Sequence, residues 1–294
     1  MTTPSLSSLA NGPLLIEVWS DVVCPWCYIG KRRLESALAR SGPEGSVLGD
    51  VQVRWRSFQL DPSAPRPGES GHGTSVAEHL GRKYGGGPSA GAAMSAQMTE
   101  VAAGEGLDFH LEDARVGNTT DAHRLLHLAA EMENAERVEG ARADRRPDAA
   151  DESRDDDLRG TGPCANLQDR LKERLLAAYF TQGIDISDSA VLRELAVEVG
   201  IPAPRVDDVL GSQAYQREVQ HDQAQAQAYG ATGVPFTVID GRYGISGAQP
   251  VEVFVETIER AIADRAPQLI SVPAARGHDS VDATHCGPGG CDVP

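Results

Sequence analysis

Two cysteines separated by two residues are the first candidates for chemistry in this sequence. Cys24 and Cys27 form a C-x-x-C that encloses Pro25 and Trp26. The preceding run, residues 14–20, is short, β-branched and aromatic, which predicts a buried strand. Pro25 suits the first turn of a helix, because its missing N–H would have no partner there. A C-x-x-C between a strand and a helix is the context in which the motif indicates redox chemistry.

The predicted helix gives the two thiols different roles. Cys27, Gly30, Leu34 and Leu38 recur at steps of three and four, which places Cys27 on the buried face of a helix running to about residue 40. Cys24 is expected at the exposed helix start, where the helix dipole and the free backbone N–H groups would lower its thiol pKa. Cys24 is therefore the predicted nucleophile, and Cys27 the predicted resolving thiol.

A four-thiolate zinc site is the alternative use of a C-x-x-C, and it requires a second pair of ligands. The chain has five cysteines, and the other three are Cys164, which is isolated, and Cys286 and Cys291 near the C-terminus. We expect no metal and no organic cofactor. Cys286 and Cys291 enclose Gly-Pro-Gly-Gly, which allows a small disulfide loop, so they are candidates for a second redox pair. The alternatives are a passive tail with reduced thiols, and a weak metal site.

The composition excludes several classes of partner. The 294 residues carry 43 Asp and Glu against 27 Lys and Arg, a net charge of -16. A field of that sign repels phosphate backbones and anionic lipid headgroups, so we expect neither nucleic-acid nor membrane partners. No apolar run approaches the ~20 residues that span a bilayer, and the first residues do not resemble a secretory signal. We therefore expect a cytoplasmic protein.

The order of predicted elements indicates an insertion. A strand, a helix and a second strand come first, a long helical block follows, and a hairpin and a helix close the pattern. An α/β domain divided in this way needs both flanks, residues 14–74 and 229–270, to complete its sheet. Residues 75–228 form the predicted inserted helical domain, with a disordered charged loop at 136–161 because that segment is nearly devoid of large apolar residues. We expect residues 271–294 to be a flexible tail.

Several runs of sequence resemble the DsbA-like thioredoxin-fold oxidoreductases, and among them the FrnE subgroup. The runs are VWSDVVCPWCYIG at residues 18–30, GVPF at 233–236 and YGISGAQ at 243–249. In the helical block, NTTDAHRL at 118–125 and AYF at 178–180 are similar to motifs of that subgroup. The resemblance covers most of residues 14–265. The charged segment and Cys164 have no counterpart in it.

This resemblance implies a thioredoxin-like α/β domain with a large all-helical insertion. It also implies a cis peptide bond between Val234 and Pro235, facing the C-P-W-C. A proline there donates no N–H, which leaves the backbone of Val234 available to an extended substrate segment. Pro25 and Trp26 are expected to support the site, with Trp26 as a candidate contact for substrate. The C-x4-C of the tail is similar to a second cysteine pair in some FrnE-type proteins.

The function that the resemblance implies is thiol-disulfide exchange with protein or peptide thiols and disulfides, or with small thiols. The direction, as oxidase, reductase or isomerase, is not fixed by two intervening residues. One alternative is a glutathione-dependent isomerase or transferase of the 2-hydroxychromene-2-carboxylate isomerase or kappa type, which uses a serine or similar residue at the position of Cys24. A polyketide-pathway isomerase is a second alternative. Outside enzymes, the pattern is also compatible with a chaperone-like peptide-binding module.

Overall fold

The computed structural model describes residues 12–41, 51–143 and 166–265. Cys164, Cys286 and Cys291 lie outside the described residues. So do the later part of the predicted charged loop, residues 144–161, and the predicted tail at 271–294. The structural findings below concern the described residues alone.

The sheet has four strands in the order β2-β1-β3-β4. The strands are β1 (Leu14–Ser20), β2 (Val51–Ser57), β3 (Phe236–Ile239) and β4 (Tyr243–Ser246). β1 pairs with β2 in parallel and with β3 antiparallel, and β3 pairs antiparallel with β4. The central strand β1 therefore joins the early and the late parts of the chain.

The helices account for the rest of the described architecture. They are α1 (Pro25–Arg40), α2 (Val76–Tyr84), α3 (Gly87–Ala103), α4 (Thr120–Ala143), α5 (Leu167–Phe180), α6 (Ser189–Glu198), α7 (Ala203–Leu210), α8 (Gln216–Ala228) and α9 (Val251–Ala263). Those from α2 to α8 lie between β2 and β3 in sequence, so the predicted α/β fold with an all-helical insertion is confirmed. No described helix combines the length and the apolar character that a membrane span requires.

Three hydrophobic clusters hold these parts together, and the smallest, Trp19, Ala226, Phe236 and Val238, joins β1 and β3 to α8. A second joins the sheet to α1 and α9, with Ile16 and Val18 of β1 packed among Leu34, Phe254 and Ile258. The largest lies among the inserted helices, and it includes Val22 from the turn before α1 and Tyr28 and Ile29 from the first turns of α1. The first turns of α1 therefore belong to the helical core as well as to the sheet domain, which places the C-x-x-C between the two.

Side chains from the inserted helices satisfy the open edge of β2. Gln168 of α5 accepts from the Trp55 N–H at 2.9 Å and donates to the Trp55 carbonyl at 2.8 Å. Asp222 of α8 accepts from the Ser57 N–H at 2.9 Å. Because an unpaired strand edge exposes donors and acceptors that need partners, these contacts fix α5 and α8 against the sheet.

The prediction of a disordered loop at residues 136–161 is wrong for residues 136–143. Residues 136–143 continue α4 to Ala143 rather than leaving the helix at Glu136. Arg137 forms an ion pair one turn back with Glu133 at 3.2 Å and donates to the side-chain oxygen of Gln52 on β2 at 2.8 Å. Pairs at this helical spacing stabilise a polar helix that has little apolar surface to bury.

Glycines let α2 and α3 approach each other backbone to backbone. A Cβ atom on Gly91 of α3 would lie 1.8 Å from the carbonyl oxygen of Ala77 on α2, and one on Gly81 would lie 2.0 Å from the carbonyl oxygen of Gly87. Real Cβ atoms do not approach carbonyl oxygens so closely, so only glycine fits both positions. The two helices thus form a tightly packed hairpin.

We expect Gly91→Ala to separate this hairpin and to lower the free energy of unfolding by about 1–3 kcal/mol, the usual cost of overpacking. Urea unfolding measures the change. Gly104→Ala is the matched control, because Gly104 ends the same helix with a right-handed backbone and its added Cβ would meet the Val101 carbonyl only at 3.3 Å. Equal stability of the Gly91→Ala protein and the wild type would show that the helices are not in the close contact described.

Candidate active site

The strand β1 leads directly to the C-x-x-C. Cys24 is the residue before the first turn of α1, with extended backbone angles, and Pro25 begins the helix. The Cys27 N–H donates to the Cys24 carbonyl at 3.0 Å, which closes the first turn. Cys27, Gly30, Leu34 and Leu38 are all buried, so the predicted inward face of the helix is confirmed.

Both thiols are shielded from solvent. Cys24 is 4% exposed and Cys27 is 1% exposed, and neither is in a disulfide. The prediction that Cys24 is exposed is therefore wrong. The segment before Pro235 covers Cys24, whose Sγ donates to the Val234 carbonyl at 3.6 Å. The sulfur atoms differ in access even so, because Cys24 lines a cavity beside the site and Cys27 does not.

The helix dipole predicts a lower pKa for Cys24 than for Cys27, and the structure has the opposite order. The pKa of Cys24 is raised, first by its hydrogen bond to Cys27 and then by burial. Burial opposes ionisation of Cys27 too, but the hydrogen bond from Cys24 and the positive charge of Lys172 outweigh it, so the pKa of Cys27 is lowered. The backbone N–H of Cys27 lowers the pKa of Cys24, as expected at a helix start, but the hydrogen bond to the Cys27 side chain and burial raise this pKa by more.

The loop that carries the cis proline packs directly on α1. The Val234–Pro235 peptide bond is cis, as the resemblance implies. A Cβ on Gly30 would lie 2.9 Å from Pro235 Cγ, so the absence of a side chain at Gly30 allows the loop to approach the helix. The Pro235 carbonyl accepts from the Gly247 N–H at 2.8 Å. These contacts bring the C-P-W-C motif and the Gly233–Phe236 motif together.

A buried carboxylate supports the turn before Cys24. Asp21 is 1% exposed and accepts from the N–H groups of Val22 and Leu60, both at 2.8 Å, and its Oδ1 lies 3.2 Å from His123 Nε2 on α4. Burial alone would raise the pKa of Asp21, but the hydrogen bond and charge of His123 and the Leu60 N–H outweigh it and leave this pKa lowered. Asp21 therefore remains ionised in the turn before Cys24.

A cavity of about 440 Å³ opens beside Cys24. Leu80 of α2, Met98 of α3 and Val234 contribute to its walls. Large apolar side chains around it are exposed, namely Trp26, Leu60, Tyr84 and Met94. Soluble proteins seldom leave such side chains grouped at the surface unless something binds there. The expected place of Trp26 beside the site is thus supported by its position on this cavity.

Sequence reasoning gave Asp21 two alternatives, a residue that tunes the thiolate or an ordinary turn residue, and it missed Lys172, which belongs to no motif. A signal is present in the spacing, because Lys172 is four residues after Gln168 and four before Leu176, which are both buried. A lysine on the buried face of a helix requires a partner, and the partner lies in another part of the chain.

The sequence matches the family described as DSBA-like thioredoxin domain over residues 15–161 and 163–259. The match covers well over half of the chain. The chain therefore belongs to the DSBA-like thioredoxin family, whose members include thiol-disulfide oxidoreductases.

Individual relatives agree with this assignment. A probable DsbA oxidoreductase from Streptomyces coelicolor is 34% identical, with a TM-score of 0.68 over 96% of this chain and 99% of that one. The uncharacterized protein YwbO of Bacillus subtilis is 27% identical over 253 residues, 85% of this chain and 96% of its own. The cytosolic disulfide reductase DsbM of Pseudomonas aeruginosa, determined with glutathione, shares the fold at 16% identity and a TM-score of 0.50, over 85% of this chain and 100% of its own.

Asp21→Asn should destabilise the protein by about 1–3 kcal/mol at pH 7. The amide nitrogen of asparagine would face one of the two backbone N–H groups that now donate to the Asp21 carboxylate. Since the folded pKa of Asp21 is lowered, its stabilisation is present above the unfolded value of about 3.9 and is lost as the pH falls through the folded value. The difference between variant and wild type should therefore shrink below about pH 4 in urea unfolding. Asp208→Asn, on an exposed carboxylate, is the control; a variant as stable as the wild type at pH 7 contradicts the role given to Asp21.

Proposed function

We propose that this protein catalyses thiol-disulfide exchange, with Cys24 as the nucleophile and Cys27 as the resolving thiol. The observation that carries the proposal is the difference in access between two adjacent thiols, since Cys24 lines the cavity and Cys27 lies behind it. A substrate sulfur that enters the cavity meets Cys24 first. Membership of the DSBA-like thioredoxin family supports the same chemistry.

The reaction proceeds through a mixed disulfide. The Cys24 thiolate attacks one sulfur of the substrate disulfide, a Cys24–substrate bond forms, and the other substrate sulfur leaves as a thiolate. Cys27 then gives up its proton and attacks Cys24 Sγ, which releases the second substrate sulfur and leaves a Cys24–Cys27 disulfide. Two electrons pass from the pair to the substrate, the proton of Cys27 ends on one released sulfur, and the other sulfur is released as a thiolate. The same steps in reverse oxidise a substrate dithiol.

The hydrogen bond between the two thiols raises the pKa of Cys24 and, against the effect of burial, lowers that of Cys27. Transfer of the Cys24 proton to Cys27 makes Cys24 the thiolate when a substrate disulfide arrives. A thiolate of higher pKa is intrinsically the stronger nucleophile, so the raised pKa of Cys24 is compatible with attack once the proton has moved.

The substrate that we propose is an extended protein or peptide segment with an apolar residue beside its cysteine. The apolar rim formed by Trp26, Leu60, Tyr84 and Met94 supports this, as does the cavity of about 440 Å³ that could hold one large side chain. The Val234 carbonyl, next to the cis proline, accepts from Cys24 Sγ and has a second lone pair that an extended segment could use. Small thiols are the second class of substrate, for which DsbM with glutathione is a precedent of the same fold.

Finer parts of the proposal come from the sequence resemblance. We assign the chain to the FrnE subgroup and to the cytoplasm, with Cys286 and Cys291 as a second redox pair that exchanges with Cys24 and Cys27. Isomerase activity would use the same mixed disulfide, released by a thiol of the substrate itself. The glutathione-dependent isomerases and transferases remain the rival enzymes, and the cysteine at position 27 argues against them.

Reduction of insulin by dithiothreitol tests the proposed activity. We expect acceleration by the wild type, a rate at the uncatalysed level for Cys24→Ser, and wild-type acceleration for Cys164→Ser, the matched control on a cysteine outside both pairs. Deletion of residues 280–294 should slow turnover if the second pair takes part, and an unchanged rate would remove that pair from the mechanism. Catalysis that survives in Cys24→Ser rules out the proposed nucleophile.

A further inference from the structure

A tyrosine of the inserted helices borders the cavity beside Cys24 and has an unpaired hydroxyl. Tyr179, in the last turn of α5, is 4% exposed and lines this cavity. Its ring packs edge-on against the ring of Phe180, with the two ring centres 4.9 Å apart. Among the described residues, no group forms a hydrogen bond with the Tyr179 hydroxyl. Buried tyrosine hydroxyls normally have such a partner, so this one requires an explanation.

The Tyr179 hydroxyl is not sealed inside the protein. Within the described ranges, the buried side-chain nitrogen and oxygen atoms that lack a hydrogen-bond partner belong to Ser95, His123, Glu173 and Gln225. Tyr179 is not in that set although its hydroxyl has no partner, so the oxygen has access to open space. Because the open space that Tyr179 borders is the cavity, the hydroxyl is available to a group that binds there.

The walls of the cavity suit an apolar side chain that ends in a polar group. They include Leu80 of α2, Met98 of α3 and Phe180 of α5. The volume of about 440 Å³ is within the roughly 300–1,000 Å³ of ordinary ligand pockets. A polar group that enters such a cavity loses its water and needs a hydrogen bond in return. The Tyr179 hydroxyl can supply that bond as a donor or as an acceptor.

Two other hydroxyl side chains border the cavity, and both are less available. The Ser95 hydroxyl is one of the sealed groups. The Thr119 hydroxyl accepts a hydrogen bond from Gln59 Nε2 at 3.4 Å. Tyr179 is therefore the hydroxyl that a bound group reaches without competition from the protein.

The charges near Tyr179 favour a neutral partner. Burial and the negative charges of Asp21 and Asp185 raise the pKa of Tyr179, so the phenol is protonated at neutral pH. The same carboxylates oppose a further anion beside the hydroxyl, and Arg115 offsets them only in part. A cationic side chain is disfavoured as well, because Asp21 already accepts from two N–H groups and faces the positive charge of Lys172.

The basic groups of α2 do not change this balance. Lys83 lines the cavity but is exposed, so water screens its charge. Burial and the charge of Lys83 lower the pKa of His79, which leaves this residue neutral at pH 7. Asp61 adds a negative charge to the same cavity. An acidic side chain of a substrate therefore gains little there.

We propose that the cavity beside Cys24 receives a tyrosine side chain of the substrate and that Tyr179 selects it through a hydrogen bond between the two hydroxyls. The proposal rests on the proposed function, because it identifies the residue next to the substrate cysteine. Tyrosine combines an apolar ring with a neutral hydroxyl that can donate or accept. A phenylalanine in the same place would displace water from Tyr179 without replacing its hydrogen bond, and that loss makes the site selective.

Cystine peptides that differ in one residue test this selection. Each substrate consists of two identical short peptides joined by a disulfide, with tyrosine, phenylalanine or glutamate next to the cysteine. Dithiothreitol regenerates the enzyme, and chromatography measures the reduced peptide. We expect kcat/KM of the wild type to be about two- to tenfold higher for the tyrosine peptide than for the phenylalanine peptide, and lowest for the glutamate peptide. Tyr179→Phe keeps the ring and removes the hydroxyl, so the ratio between the tyrosine and phenylalanine peptides should fall to about one.

Tyr215→Phe is the matched control, because it removes a hydroxyl that donates to Glu131 at 2.8 Å, on a residue that does not line the cavity. It should keep the tyrosine preference of the wild type. A preference that persists in Tyr179→Phe would overturn the proposal. So would a wild type that prefers the glutamate peptide or treats tyrosine and phenylalanine alike, and this comparison stands even if Tyr179→Phe does not fold. A wild type that reduces none of the three peptides through Cys24 would instead overturn the proposed function.

Discussion

Burial of both active-site thiols is the constraint on which the rest of the structure depends. A sulfur without access to water resists ionisation, yet exchange requires a thiolate. The helix start alone does not resolve this conflict, because the hydrogen bond to the Cys27 side chain and burial outweigh the effect of the Cys27 backbone N–H on the pKa of Cys24. The hydrogen bond from Cys24 and the charge of Lys172 outweigh burial at Cys27 and lower its pKa. Reactivity therefore depends on residues far from the motif in sequence.

The inserted helices cover the sheet and also place a charged side chain near the buried thiols. α5 carries Lys172, and the same helix places Gln168 on the open edge of β2 and Asp169 against Trp55 at 2.8 Å. Because these contacts are spaced along one face of α5, the helix cannot slide without losing several at once. α2 and α3 form the opposite side, where their glycine contacts fix a wall of the cavity. The insertion thus supplies both the charge behind the thiols and the surface in front of them.

The sequence alone predicts the helices and strands whose positions follow from the local pattern of residues. Pro25 at the helix start and the buried face with Cys27 and Leu34 follow from periodicity and the chemistry of the first helical turn. The acidity of the thiols does not follow, because it depends on which charge from α5 reaches Cys27. The extension of α4 escapes prediction for a similar reason, since the contact of Arg137 with Gln52 joins residues distant in the chain. Long-range partners of polar residues leave little trace in a single sequence.

The central claim is that Cys24 forms the bond to substrate and Cys27 resolves it. Trapping with Cys27→Ser tests this most directly, by incubating the reduced variant with a cystine-containing peptide and locating the adduct by mass spectrometry after digestion. The account predicts a stable peptide disulfide on Cys24, and far less adduct on Cys27 when the reciprocal Cys24→Ser variant is treated in the same way. An adduct that forms on Cys27 as readily in Cys24→Ser as on Cys24 in Cys27→Ser would contradict the assignment of the two thiols.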